Sequence, residues 1–207
     1  YSSAASDVYK RQVLVILPLL ISMGIIMLAI HLNSTTQSFS PEEVQNVAYI
    51  VMLLNTLLFI KVSKKSFRDI GLFSSRLLRQ LAIGVVIGAI FFIVGGILTG
   101  WSISFTGNSL YFIVGQILVA FSEELLFRGY ILTMLRDITR TPDQAVIISA
   151  LIFGLWHYPT SHNIVLVFIT FFTGAIYGTL RTVFEKTDDE IGVIPLTISH
   201  WIFNVVM

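Results

Sequence analysis

Long apolar stretches with little or no charge set the terms for this chain. Seven follow one another: Val13 to Ile30, Val44 to Ile60, Leu81 to Thr99, Leu110 to about Leu135, Ala145 to Tyr158, Ile164 to Leu180 and Ile194 to Met207. A helix needs roughly 20 residues to cross the hydrocarbon core of a bilayer. In lipid a backbone must satisfy its own hydrogen bonds, so only helices and closed barrels span. No run alternates polar and apolar residues with a period of two, which argues against a barrel. The expectation is an all-α, polytopic transmembrane helical bundle of about seven spans, one domain over residues 13–207.

Composition points the same way. Of 207 residues 55% are hydrophobic and only 12% charged, more apolar surface than a soluble interior of this size can hide. Cysteine is absent, which excludes disulfides, thiolate nucleophiles and Cys-rich zinc sites. A net charge of +1 gives no basic surface for nucleic acid, so none is expected as a partner. Membrane lipids are.

Helix starts are legible. Ser40-Pro41-Glu42-Glu43 reads as an N-cap, a proline at the first helical position and acids at the positive end of the helix dipole. Thr141-Pro142-Asp143 repeats the pattern, and Pro195 opens the last run. Pro18 falls inside the first run, where it is expected to kink the helix. Twelve of the 13 Lys and Arg residues fall on one side if seven spans alternate, which places the N-terminus in the cytoplasm. Tyr1 to Gln12 lack an initiator methionine and look unlike the rest, as a non-native or disordered segment would. The chain ends inside an apolar helix. Both features are expected of a fragment, here of an eight-span protein. The pairs Gly84/Gly88, Gly96/Gly100 and Gly174/Gly178 permit close helix contact, either within the bundle or at a dimer seam. Trp101, Trp156 and Trp201 read as interface anchors or packing, and His31 and His162 fall in outer loops.

The informative residues are the polar ones inside apolar runs, because a charge near the bilayer centre costs at least about 2.5–3.5 kcal/mol. They are Glu123, Glu124 and Arg128 in the fourth run, His157 in the fifth, and His200 with Asn204 in the seventh. Glu123, His157 and Asn204 each lie 13 residues from the same end of their segments, roughly 20 Å at 1.5 Å per residue. Three helices thus bring polar groups to one depth. Glu124 and Arg128, spaced i, i+4 with the acid first, suit an ion pair. Glu123 is turned by roughly 100° from Glu124 and faces with Gln116, Ala120 and Phe127, which leaves it available for chemistry. His200 and Asn204 share a face, as do Phe153 and His157. A free carboxylate, two imidazoles and an amide in an apolar wall fit hydrolysis: the carboxylate takes a proton from water, imidazoles bind a metal or hydrogen-bond, and the amide stabilises an oxyanion.

Three segments resemble the motifs of the CAAX-protease and bacteriocin-processing (CPBP, or Abi) intramembrane proteases. Glu123-Glu124-Leu125-Leu126-Phe127-Arg128 is similar to their E-E-x-x-x-R, Phe153-Gly154-Leu155-Trp156-His157 to their F-x-x-x-H, and His200-Trp201-Ile202-Phe203-Asn204 to their H-x-x-x-N. The Gly174/Gly178/Arg181 helix also resembles the family's. The resemblance covers about residues 110–207, the expected catalytic core. It implies an intramembrane metalloendopeptidase of the bacterial plasma membrane acting on membrane-associated peptides: CAAX-type tails, pheromones or bacteriocin leaders. Carried over by position, Glu123 activates the water, His157 and His200 hold a zinc ion or polarise water and carbonyl, Asn204 completes the oxyanion site, and Glu124 and Arg128 support them. A metal-free, glutamate-activated water is the alternative to zinc. The competing class is a non-catalytic membrane protein, either a bacteriocin-immunity binding protein or a proton-coupled carrier, since buried ionisable chains also mark ion paths.

Overall fold

The Ser40 side chain accepts from Glu43 N while the Glu43 carboxylate accepts from Ser40 N at 2.8 Å. This reciprocal cap opens α2 (Pro41–Val62), with Pro41 in the first turn. Thr141 caps α6 (Pro142–Trp156) through Gln144 N. The computed structural model describes residues 2–72, 76–99, 110–184 and 191–206, and every regular element among them is helical. The remaining elements are α1 (Ser2–Thr36), α3 (Leu77–Thr99), α4 (Leu110–Glu124), a π-helical segment (Leu125–Ile131), α5 (Leu132–Arg136), the single turn α7 (Tyr158–Ser161), α8 (Ile164–Val183) and α9 (Val193–Val206).

The count of seven spans needs correction. Among the described residues four helices, α1, α2, α3 and α8, are long and apolar enough to cross a membrane. The other three runs are helical but short or interrupted. α6 has 15 residues, about 22 Å at 1.5 Å per residue, less than the hydrocarbon core of about 30 Å, and α9 has 14 within the described residues. The fourth run is divided by the π-helical segment. The chain is an all-α, polytopic membrane bundle with a core of shorter helices. α1 begins at Ser2, so residues 2–12 belong to its helix, and His31 lies within the helix rather than in a loop.

Pro18 explains one tie in the bundle. A proline has no N–H for the carbonyl four residues earlier. That carbonyl, Leu14 O, accepts instead from Tyr130 Oη at 3.0 Å, and Ser63 Oγ lies 2.6 Å from the same hydroxyl. Buried Asn55 donates to Pro18 O at 2.9 Å and to Ser22 Oγ at 2.8 Å. These bonds fasten α1 to α2 and to the π-helical segment.

Close packing rests on glycine. A Cβ on Gly84 would lie 2.7 Å from Pro195 O, and one on Gly88 2.7 Å from Ile202 Cδ1, so α3 meets α9 backbone to backbone. A Cβ on Gly154 would lie 2.8 Å from Val167 O, and one on Gly178 3.1 Å from Val146 Cγ1, which seats α6 against α8. The pairs at 84/88 and 174/178 thus act inside the bundle. The Gly96/Gly100 pair runs out of the described residues at Gly100, as does Trp101. Trp156 is buried, its ring centroid 5.4 Å from that of Phe127, and Trp201 Nε1 donates to Ile113 O at 3.0 Å. α4 lies between α2 and α9. At one end, Arg11 Nη1 and Lys65 Nζ both reach Asp137 Oδ2, at 2.9 and 2.7 Å, gathering the start of α1 with the ends of α2 and α5.

Candidate active site

The π-helical segment begins directly after Glu123 and Glu124, which close α4. Such wide turns are rare and concentrate at functional sites. Across its first turn Arg128 Nη1 donates to Glu124 Oε1 at 3.0 Å, with both side chains almost wholly buried. The guanidinium also stacks 3.9 Å from the Phe153 ring centroid and 5.5 Å from that of Tyr177. Gly174 leaves room for it: a Cβ there would lie 3.2 Å from Arg128 Nη2.

The two histidines arrive from α9 and from the end of α6. His200 Nδ1 lies 2.9 Å from Glu124 Oε1. A carboxylate paired with arginine only accepts, so Nδ1 is the donor. His157 caps the C-terminus of α6, and its Nδ1 lies 2.9 Å from Phe153 O. A carbonyl also only accepts, so Nδ1 again carries the hydrogen. In the neutral ring, each Nε2 is left as an acceptor. The Phe153 ring sits edge-on to both imidazoles, at 4.8 Å from His157 and 6.2 Å from His200.

Both Nε2 atoms face Glu123, which is 2% exposed. Glu123 Oε2 lies 3.9 Å from His157 Nε2 and 3.7 Å from His200 Nε2. Its other oxygen, Oε1, accepts from Tyr49 Oη at 2.7 Å. A cavity of about 140 Å³ opens beside the cluster, lined by Glu124, His157, His200, Asn204, Tyr177 and Phe91 among others. Glu124 Oε2 and Arg128 Nη2 are buried without a hydrogen-bond partner among the described residues. Polar groups so placed demand water or ligand.

Five of the six site residues read from the sequence are therefore joined by direct approach: Glu123, Glu124, Arg128, His157 and His200. Asn204 lines the same cavity, and its side chain makes no hydrogen bond among the described residues. Sequence reasoning missed Tyr49. Its available signal was the i, i+4 pair Gln45/Tyr49 inside the second run. Gln45 Oε1 accepts from Gln116 Nε2 at 3.2 Å, extending the polar seam between α2 and α4. The hydrogen bond between Tyr177 and Ser199, at 2.6 Å, had no sequence signal.

The expectation of zinc at His157 and His200 is overturned. Among the described residues no group of three or more His, Cys, Asp or Glu side chains could hold a metal ion. Tetrahedral zinc donors about 2.0–2.2 Å from the ion lie roughly 3.3–3.6 Å from one another. The gaps of 3.7 and 3.9 Å around Glu123 Oε2 are wider.

No curated protein and no solved structure matches the chain. Residues 105–206 match the family described as Type II CAAX prenyl endopeptidase Rce1-like, a span that takes in Glu123, His157 and His200 with the helices that bring them together. Through that half of its length the chain belongs to the Rce1-like CAAX protease family.

Proposed function

We propose that the chain is an intramembrane endopeptidase that hydrolyses peptide bonds of membrane-associated peptides or proteins with a glutamate-activated water. The observation that carries this reading is the meeting of three acceptors, Glu123 Oε2, His157 Nε2 and His200 Nε2, at separations of 3.7 and 3.9 Å. Those gaps exceed a direct hydrogen bond and suit a bridging water. What such a cluster recruits is a molecule that donates, and water donates twice.

In this reading Glu123 Oε2 takes a proton from the water as its oxygen attacks the scissile carbonyl carbon. The new C–O bond forms, the carbonyl π pair moves onto oxygen, and the Asn204 amide donates to that oxyanion. His157 and His200 hold the water by accepting a hydrogen bond from its other O–H. The proton on Glu123 then passes to the amide nitrogen as the C–N bond breaks, releasing an amine and an acid. Tyr49 holds Glu123 in place through Oε1, and Glu124 with Arg128 fixes the His200 ring. The substrate class is the tail of a membrane-bound chain, a CAAX-type tail, pheromone or leader. The family description and the apolar cavity wall of Leu166, Ile169 and Phe203 support it.

The test is hydrolysis by the purified chain of a panel of fluorogenic peptides, with and without a prenyl group on a C-terminal CAAX cysteine. Wild type is expected to cleave at least one member. Glu123→Gln is expected to lower kcat by about 10²–10⁴ with the fold kept. Full turnover by Glu123→Gln would overturn the assignment.

A further inference from the structure

A second cavity, of about 580 Å³, lies at the end of the bundle where the basic residues gather. Its walls come from the connection after α2, the end of α5 and the turn into α6. Lys65, Arg68, Arg136 and Arg140 line it, opposed by the carboxylates of Asp69 and Asp137. Among the lining side chains cations outnumber carboxylates four to two.

The two carboxylates are already engaged. Asp69 Oδ2 accepts from Ser66 N at 2.7 Å and from Ser66 Oγ at 2.8 Å, bonds that hold its carboxyl below the ordinary range. Asp137 Oδ2 is shared by Lys65 and Arg11. Neither carboxylate contacts Arg68 or Arg140, whose guanidinium groups make no ion pair or hydrogen bond among the described residues. The start of α6 at Pro142 forms part of the wall, so the positive end of a 15-residue helix adds to the same field.

We propose that this cavity binds the phosphate of an anionic phospholipid headgroup. The guanidinium fork matches phosphate oxygens in geometry as well as charge. Two features favour a lipid over a soluble phosphate. The cavity sits at the end of spanning helices, where headgroups lie, and basic pockets between membrane helices take such groups. From its rim α6 runs inward with Ile147, Leu151 and Leu155 each about half exposed, one apolar stripe at i, i+4, i+8 along which acyl chains can lie. The site is separate from the Glu123 cluster and does not depend on the peptidase reading.

The experiment measures thermal unfolding of the full chain in a neutral detergent against added dihexanoyl phosphatidylglycerol, dihexanoyl phosphatidylcholine or sodium phosphate. Phosphatidylglycerol is expected to raise Tm, and phosphatidylcholine to leave it unchanged. In Arg68→Gln/Arg140→Gln the half-saturating phosphatidylglycerol concentration is expected to rise at least tenfold. The charge-matched Lys61→Gln/Lys64→Gln, outside the cavity, is expected to keep the wild-type value. Equal responses from the two double variants would overturn the site, and sodium phosphate acting as well as phosphatidylglycerol at equal concentration would overturn the lipid assignment. Should the first double variant lose stability without lipid, native mass spectrometry of the single variants decides: undiminished phosphatidylglycerol adducts in both overturn the proposal, and reduced adducts support it.

Discussion

His200 Nδ1 and Arg128 Nη1 converge on one atom, Glu124 Oε1, at 2.9 and 3.0 Å. A single carboxylate oxygen therefore joins the π-helical segment to α9 and sets which way an imidazole faces. Removing one partner of a buried pair leaves a charge without compensation, which costs about 3–5 kcal/mol. Arg128→Met is expected to destabilise the protein by that order, seen as a lower midpoint of thermal unfolding in detergent. The double variant Glu124→Gln/Arg128→Met is expected to recover part of the loss, since no buried charge then stands alone. An Arg128→Met protein as stable as wild type would show that the pair does not hold the bundle.

Tyr49 touches the cluster only through its hydroxyl, 2.7 Å from Glu123 Oε1. Tyr49→Phe keeps the ring and removes that donor. A hydrogen bond to a charged group is worth about 1.5–3 kcal/mol, and here its loss frees Glu123 to turn away from the water. The expected outcome is a fall in kcat of about tenfold or more with KM little changed, while far-UV circular dichroism remains that of wild type. A change confined to KM would place Tyr49 with the substrate instead.

Much of this site could be read from spacing alone, for a physical reason. The i, i+4 rule placed Glu124 beside Arg128, and the mismatch of polar residues with lipid singled out His157, His200 and Asn204. Equal depth in three helices predicts that such groups converge, and Glu123 Oε2 lies 3.9 and 3.7 Å from the Nε2 atoms of His157 and His200. What could not be read depends on side-chain convergence or local backbone winding. Leu125 to Ile131 has no composition that distinguishes a π turn from an α turn, so the fourth run was counted as one span. Zinc is implied by the family resemblance, whereas metal binding requires donors within a few tenths of an ångström of a common shell. Tyr49 carries no signal of its own in the sequence, because an aromatic ring in an apolar run is usually packing.

The width of the gaps around Glu123 Oε2 bears on metal dependence. With Glu123 Oε2 3.9 and 3.7 Å from the two imidazole Nε2 atoms, hydrolysis is expected to persist in a chelator. Peptide cleavage measured before and after prolonged dialysis against EDTA should agree within about twofold, against losses of about 10–100-fold when even outer partners of a true metal site are removed. Loss of activity on dialysis with recovery on adding zinc would show that the cluster tightens around an ion.

Two glycines in helices separate packing from helix propensity. A Cβ on Gly154 would meet Val167 O at 2.8 Å, a backbone atom that cannot turn aside, whereas one on Gly24 meets nothing within 4 Å. Overpacking a tight contact costs typically about 1–3 kcal/mol, and alanine in place of a helical glycine returns roughly 0.5–1 kcal/mol. Gly154→Ala is expected to lower the unfolding midpoint and, because His157 lies three residues further along the same helix end, to lower kcat as well. Gly24→Ala is expected to hold or raise the midpoint with activity unchanged. If both variants shift stability alike, the α6–α8 contact is looser than the 2.8 Å approach requires, and the position of His157 must rest on its Phe153 hydrogen bond alone.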